Sequence, residues 1–215
     1  MAQQNLALDL ALGTLAGAAA VWALDRVDWF LYNREPEALR EKTRAVRGGT
    51  DPAHTLIDRA ATALGREPPG QPDYPNPTAL GNAVHYGMGV SAALPYAALR
   101  RRFPWLSAGY GSAFGAALFL LQDEGLNTVI GLAAKPQDYH WRTHARGLVA
   151  HVAFGVVLET LLRAADAFAS GMRRTDAAIT AASAVDEEYG EMLAHPYPGQ
   201  RGGETDRDVG IERRL

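Results

Sequence analysis

Four long apolar segments, almost free of charge, constrain this chain more than any other feature. They cover about residues 6–24, 79–99, 105–121 and 144–162, and polar blocks separate most of them. A helix needs roughly 20 apolar residues to cross the hydrocarbon core of a bilayer, because each residue rises about 1.5 Å. The first two segments reach that length and the last two are slightly shorter. The sequence therefore predicts an all-α fold, built as a four-helix transmembrane bundle.

The average composition hides this pattern. The mean hydropathy of −0.15 is that of a soluble protein, and a soluble bundle of Ala- and Gly-rich helices is the alternative fold. The clustering of small residues and the segregation of charge favour the membrane. The net charge of −3 argues against nucleic acid as a partner, since a nucleic-acid binder carries a basic surface. Because the chain has no cysteine, disulfides and thiolate metal sites are excluded.

Three regions follow from the positions of charge, proline and glycine. Residues 1–168 form the predicted membrane domain, with a polar outer loop between its first two spans. In that loop Asp51 has the position of a helix cap and Pro52 that of a first helical residue. Residues 169–194 are predicted to form a cytoplasmic amphipathic helix. Residues 195–215, which are Pro, Gly and charge, are expected to be disordered.

The basic residues near the spans predict the orientation. The shortest loop carries Arg100, Arg101 and Arg102, and Arg163 follows the last span. Loops rich in Arg and Lys stay in the cytoplasm. With four spans, both termini are then cytoplasmic.

This topology brings ionisable residues from separate segments into one leaflet. His85 lies in the second span, His151 in the fourth, and Asp123 and Glu124 at the end of the third, while Glu159 falls near the inner face. Ionisable groups in hydrocarbon are costly and normally pair inside a bundle. Imidazoles and buried carboxylates can both exchange protons near neutral pH. These five residues are therefore candidates for a proton or ion relay.

A metal site is a second interpretation of the histidines. His140 and His144 are four residues apart, so they share one helix face, and His151 is two turns further. Imidazole with carboxylate suits zinc, iron or manganese. No cofactor is predicted, and a divalent metal is the one ligand that this pattern would accept.

Each candidate also has a purely structural interpretation. His140 lies among aromatic residues and fits a membrane interface, and Asp123 and Glu124 would solvate a helix end. A hydrogen bond between helices accounts for His85 or His151 as well as chemistry does. Glu159 is spaced to pair with Arg163 four residues later.

Small residues predict where helices approach each other closely. Two GxxxG pairs occur in the first and third segments, and single glycines share a face with the histidines of the second and fourth. These packing candidates are Gly13, Gly17, Gly89, Gly111, Gly115 and Gly155. The chain carries no nucleotide-binding glycine loop and no GxSxG or HExxH motif, so an enzymatic activity is not predicted.

Short motifs over roughly residues 6–163 resemble the YagU-like family of small bacterial inner-membrane proteins, which are mostly uncharacterised. They are GTLAGAAAVWALD in the first span, the proline-rich outer loop, His85-Tyr-Gly-Met-Gly, Gln122-Asp-Glu-Gly with Gly131-Leu and Pro136 after it, and Ala150-His-Val-Ala-Phe-Gly. The family tends to have Gly-His in the fourth span where this chain has Ala150-His151. The resemblance implies a four-span protein of the inner membrane with an acid-stress or transport role, and it supplies no catalytic residue.

Two functions are therefore expected from different classes. The first is proton or ion handling in acid stress through the outer-leaflet cluster of His and carboxylate. The second is a structural or assembly subunit that binds partner membrane helices through its small-residue faces, without catalysis. The expected partners are the lipid bilayer and other membrane proteins or further copies of the chain.

Overall fold

The computed structural model describes residues 6–69 and 78–194, and in these residues the regular structure is entirely helical. The all-α prediction is confirmed. The helices are α1 (Leu6–Tyr32), α2 (Glu37–Arg47), α3 (Pro52–Ala63), α4 (Ala79–Leu99), α5 (Ser112–Leu118), α6 (Asn127–Val129) and α7 (Trp141–Ala194), with a π-helix at Phe119–Leu126 and 3₁₀ turns at Pro104–Ser107 and Pro136–Asp138. The chain divides into two compact units, Met1–Asp166 and Ala167–Leu215.

Helices α1 and α4 form an antiparallel pair in a regular register. Every fourth residue along α1 meets every fourth residue back along α4, as expected when ridges four residues apart interlock. The facing pairs are Asp9–Arg101, Gly13–Ala97, Gly17–Ala93, Val21–Gly89 and Asp25–His85. Small and apolar residues in the middle let the backbones approach, and an ion pair or hydrogen-bonded pair closes each end. These ends are separated by 16 residues of α1, which is roughly 24 Å of helix.

A second antiparallel contact joins the third apolar segment to α7. A Cβ added at Gly115 would collide with the carbonyl group of His151, and one added at Gly155 with the carbonyl oxygen of Gly111. One turn further, the Phe119 ring fills the space over Gly147, where an added Cβ would lie 2.6 Å from it. The glycines let these two backbones approach each other closely.

The predicted start of the third span at residue 105 is wrong. Pro104–Ser107 is a 3₁₀ turn, and helix α5 begins only at Ser112. Gly109, Tyr110 and Gly111 all have positive φ, at 59°, 60° and 86°. A right-handed helix cannot continue through such a run, and glycine is the residue that adopts this conformation most readily.

The third segment also runs beyond its predicted end at Leu121. The π-helix and α6 carry it to Val129, which includes part of the apolar piece expected to lie separately at the interface. Counted from Ser112, the helical segment is 18 residues long, or roughly 27 Å at an α-helical rise.

The core lies where the two antiparallel pairs meet. Phe154, Leu158 and Leu162 of α7 pack against the small-residue faces of α1 and α4. The core residues are Ala16, Ala20, Val21, Ala93, Tyr96, Ala97, Phe154, Leu158 and Leu162. Alanine predominates because the helices approach closely.

The polar loop after α1 contains two helices. The predicted cap of α3 is confirmed, since the Asp51 side chain accepts the backbone N–H of His54 and Pro52 occupies the first turn. The His54 ring joins two helix caps. Its Nδ1 lies 2.8 Å from the Asp51 carboxylate, and its Nε2 lies 3.0 Å from the hydroxyl of Thr78, which caps α4. Helix α2 was not predicted.

The fourth predicted span, 144–162, lies inside α7, which begins three residues earlier at Trp141 and ends at Ala194. The segment predicted as an amphipathic helix, 169–194, is helical. The tail 195–215 lies outside the described residues.

Candidate functional site

The α1–α4 register ends in a histidine–carboxylate pair. His85 Nε2 lies 2.9 Å from Asp25 Oδ1, one helical step beyond the contact of Val21 with Gly89. The His85 side chain is 41% exposed and that of Asp25 is 29% exposed. The pair therefore holds two helices together and is partly exposed.

The π-helix supplies two more carboxylates to α7. Glu124 Oε1 lies 2.6 Å from His144 Nδ1, and Asp123 Oδ2 lies 3.7 Å from His151 Nε2. His144 and His151 are two turns apart on one face of α7, whereas Asp123 and Glu124 are adjacent in sequence. Both acids of the π-helix therefore lie on the side that faces α7. A π-helix has a wider turn than an α-helix and is found frequently at functional sites.

The other ring nitrogens of these histidines also have partners. His144 Nε2 lies 3.0 Å from the carbonyl oxygen of Pro136, and His151 Nδ1 lies 2.9 Å from that of Gly147. Since a carbonyl oxygen can only accept, each ring donates a proton there and turns its second nitrogen to a carboxylate.

Asp123 links the three histidine–carboxylate pairs. It lies 3.7 Å from His151, it neighbours Glu124 in sequence, and it is close enough to His85 for their charges to interact. Together the three pairs form the histidine cluster: Asp25, His85, Asp123, Glu124, His144 and His151.

A buried arginine was missed by the sequence analysis. Arg146 is 4% exposed, and its Nε donates to Asp28 at 2.8 Å while its Nη1 donates to Glu35 at 2.9 Å. The sequence signal that could have identified it is an arginine inside a predicted apolar span, because such a charge requires carboxylate partners. It joins α7 to the end of α1.

Guanidinium groups hold the opposite end of the α1–α4 pair. Arg101 binds Asp9 at 2.8 Å and also Asp166, while Arg100 binds Asp166 at 2.5 Å. Burial raises the pKa of Asp166, but hydrogen bonds from Arg101 and Arg100 outweigh that effect and lower the pKa below its ordinary value.

Glu159 lies at this arginine end. It is fully buried, and it accepts from the Tyr96 hydroxyl at 2.8 Å and from Arg163 Nε at 2.5 Å. Arg100 Nη1 is 3.6 Å away. Eight residues of α7, roughly 12 Å, separate Glu159 from His151. Of the five relay candidates, Glu159 therefore lies beside arginines and apart from the histidine cluster.

The metal interpretation receives no support from the geometry. Within residues 6–69 and 78–194, no three His, Asp or Glu side chains are grouped so as to hold a metal ion. The ring of His140 accepts the backbone N–H of Arg142 and packs beside Trp141. His144 uses both nitrogens for protein contacts.

The six glycines predicted for packing all face another segment. A Cβ added at Gly13 would lie 2.8 Å from Ala97 Cβ, and one at Gly17 would lie 2.7 Å from Ala93 Cβ. Gly89 faces Val21, and the other three lie in the contact of the third segment with α7.

The chain matches no protein-family model, no curated protein and no solved structure.

Proposed function

We propose that this chain is an integral membrane protein of the bacterial inner membrane that takes up and passes protons through the histidine cluster. In this proposal α1, α4, the segment from Ser112 to Val129 and the first part of α7 cross the bilayer. The histidine cluster faces outward, and both termini are cytoplasmic.

The distribution of exposed apolar surface supports the membrane part of the proposal. Helices Leu6–Tyr32 and Trp141–Ala194 are long and apolar enough to cross a membrane by length and composition. A core helix of a soluble protein passes the same test, but it is mostly buried. Here only 33% and 39% of the most apolar windows are buried. Exposed Leu15, Trp22 and Leu121 would then contact lipid.

The register of α1 and α4 extends this argument to a second helix. Because α4 packs antiparallel against α1 over roughly 24 Å, α4 crosses the bilayer if α1 does. That distance is close to the roughly 30 Å of a hydrocarbon core.

The observation that carries the function is the difference between the two ends. Three imidazole–carboxylate pairs from separate segments lie in the histidine cluster, beside the ion pairs of Arg146, whereas every ion pair described at the other end uses a guanidinium group. Imidazole exchanges protons near neutral pH, and guanidinium stays charged. The cluster is also partly accessible, which proton exchange requires. The YagU-like resemblance implies a compatible acid-stress or transport role.

The structural alternative depends on small-residue faces that bind partner helices. Gly13 and Gly17 face α4. Gly111 and Gly115 face α7, and Gly155 of α7 faces them in turn. These faces are used internally, so they favour a stable bundle more than the capture of partners. The proton-handling proposal is therefore preferred.

Proton flux into liposomes tests the proposal. The chain is reconstituted with a pH-sensitive dye inside, and an inward proton gradient is applied with potassium and valinomycin to balance charge. We expect flux above that of empty liposomes, reduced several-fold by His85→Ala and by His151→Ala. His140→Ala is the matched control, because its ring makes only local contacts in the structure, and it keeps the flux. Absence of flux from the unaltered chain, or equal loss in all three variants, would overturn the proposal.

A further inference from the structure

The His54 ring, outside the histidine cluster, contacts a carboxylate with one nitrogen and a hydroxyl with the other. Its Nδ1 lies 2.8 Å from Asp51 Oδ2, and its Nε2 lies 3.0 Å from Thr78 Oγ1. The backbone N–H of Thr78 also donates toward Nε2, at 3.5 Å. Because an N–H group can only donate, Nε2 is the accepting nitrogen and Nδ1 carries the proton that Asp51 accepts. The ring is therefore held in the tautomer that can take a proton from the Thr78 hydroxyl.

These contacts are additional to the two helix caps. Asp51 caps α3 with Oδ1, which accepts the backbone N–H of His54, and it uses Oδ2 for the ring. Thr78 caps α4 by accepting the backbone N–H of Gly81 at 2.9 Å, which leaves its hydroxyl proton for His54. A cap needs only one accepting oxygen at the start of its helix. Capping alone therefore does not account for the hydrogen bonds of the imidazole ring.

The hydroxyl is accessible, whereas the imidazole is buried. Thr78 is exposed, and the His54 side chain is only 8% exposed. The ring lies against Gly81, where an added Cβ would be 2.3 Å from its Cε1 atom. Packing therefore fixes the ring in place and leaves the hydroxyl open to a substrate. A hydroxyl within reach of a base that a third group orients is the arrangement that nucleophilic catalysis requires.

An apolar groove begins beside these residues, between α3 and α4. Its volume is about 500 Å³, which falls within the roughly 300–1,000 Å³ of small-molecule sites. Leu56 and Leu80 on its wall are two residues after His54 and Thr78. Such a groove suits the acyl chain of a substrate. Its apolar lining includes Leu56, Ile57, Ala60, Leu64, Leu80 and Val84.

We propose that Thr78 is the nucleophile of an esterase site whose substrates are carboxylic esters with an apolar acyl chain. His54 is its general base, Asp51 is the positioning residue that orients His54, and the groove holds the acyl chain. This activity is separate from proton handling by the histidine cluster, so either can fail without the other.

The reaction needs only an ester and water. Thr78 Oγ1 attacks the carbonyl carbon while its proton passes to His54 Nε2. The oxyanion forms beside the first turn of α4, where N–H groups have no partner within the helix. His54 then gives the proton to the leaving oxygen as the C–O bond breaks, and an alcohol departs. Water that has lost a proton to His54 attacks the acyl carbon, and Thr78 leaves with that proton as the carboxylic acid is released.

Covalent labelling of the full chain in detergent tests the nucleophile. Octyl fluorophosphonate reacts with an activated hydroxyl, forming an O–P bond as fluoride leaves, and mass spectrometry locates the label. We expect the label on Thr78, and we expect it to be retained on the serine of Thr78→Ser. Thr78→Asn should lose it with an unchanged melting temperature, because asparagine caps a helix at least as well as threonine.

Hydrolysis of p-nitrophenyl octanoate tests the base. His54→Ala should lower the rate by roughly 10²–10⁴-fold, as expected when a general base is removed. Thr62→Ala is the matched control, since its hydroxyl donates only to the Asp58 carbonyl within α3, and it should keep the full rate. An unlabelled unaltered chain, a label found only on other residues, or labelling of Thr78→Asn equal to that of the unaltered chain would overturn the proposal.

Discussion

Single residues in this bundle show how buried charge is stabilised. Asp9, Glu159 and Arg146 are at most 5% exposed. Each has a partner of opposite charge in another segment of the chain or one turn away. An unpaired charge in such a place would cost several kcal/mol, so removing one partner is far more harmful than replacing both. Buried guanidinium–carboxylate pairs therefore stabilise the helices at both ends, through Asp9 and Glu159 at the arginine end and through Arg146 at the other.

Asp166 provides a pH test of the arginine end. Its pKa in the folded chain is lowered from an ordinary value of 3.8, so it stabilises the fold above that pH and loses this effect as the pH falls through the folded-state pKa. We expect Asp166→Asn to lower the melting temperature near neutral pH. The difference from the unaltered chain should vanish at strongly acidic pH.

Thermal unfolding in detergent measures this difference. Asp138→Asn is the matched control, since Asp138 is exposed on a 3₁₀ turn, and it should leave the melting temperature unchanged. A difference for Asp166→Asn that persists at acidic pH would show that the side chain acts through packing and not through its charge.

The sequence indicated some residues of the site and not their partners. His151 and Asp123 were named together from their depth in the predicted spans, and they lie 3.7 Å apart. The pairing of His85 with Asp25 depends on the register of α1 against α4, which hydropathy does not reveal. Arg146 was not predicted, although a charge inside an apolar span requires partners of opposite charge.

At the scale of helices, the approach of α1 to α4 rests on Gly17 and Ala93. A methyl group added at Gly17 would lie 2.7 Å from Ala93 Cβ, so one helix must shift. We expect Gly17→Ala to destabilise the fold by about 1–3 kcal/mol, as is typical of overpacking. Adding Ala93→Gly moves the methyl group from one helix to the other and should recover most of the loss.

Unfolding in detergent by denaturant measures the Gly17 effect. Gly87→Ala is the matched control: no atom lies within 4 Å of its added Cβ, so it should be neutral or stabilising by about 0.5–1 kcal/mol. Equal effects of Gly17→Ala and Gly87→Ala would mean that the α1–α4 contact is looser than described.

Helices differ in how well the sequence predicted them. Helix α3 was predicted from Asp51 and Pro52 because its cap is a local signal. The third segment was predicted to begin too early, because hydropathy is insensitive to the left-handed backbone at Tyr110. The π-helix at Phe119–Leu126 was not predicted, since hydropathy does not distinguish it from an α-helix.

For the whole molecule, the account depends on α1 and α4 crossing a bilayer with the histidine cluster and the arginine end on opposite sides. Thr50 lies just before α3, near the start of α4, and Ala108 lies in the turn beyond the arginine end. Because the chain has no cysteine, single substitutions at these positions report their side without background.

Labelling of Thr50→Cys and Ala108→Cys with a membrane-impermeant thiol reagent is the most direct test. In intact cells we predict that Thr50→Cys is labelled from outside. Ala108→Cys should be labelled only after the inner membrane is opened. Labelling of both positions from the same side, or recovery of the chain in the soluble fraction, would contradict the account.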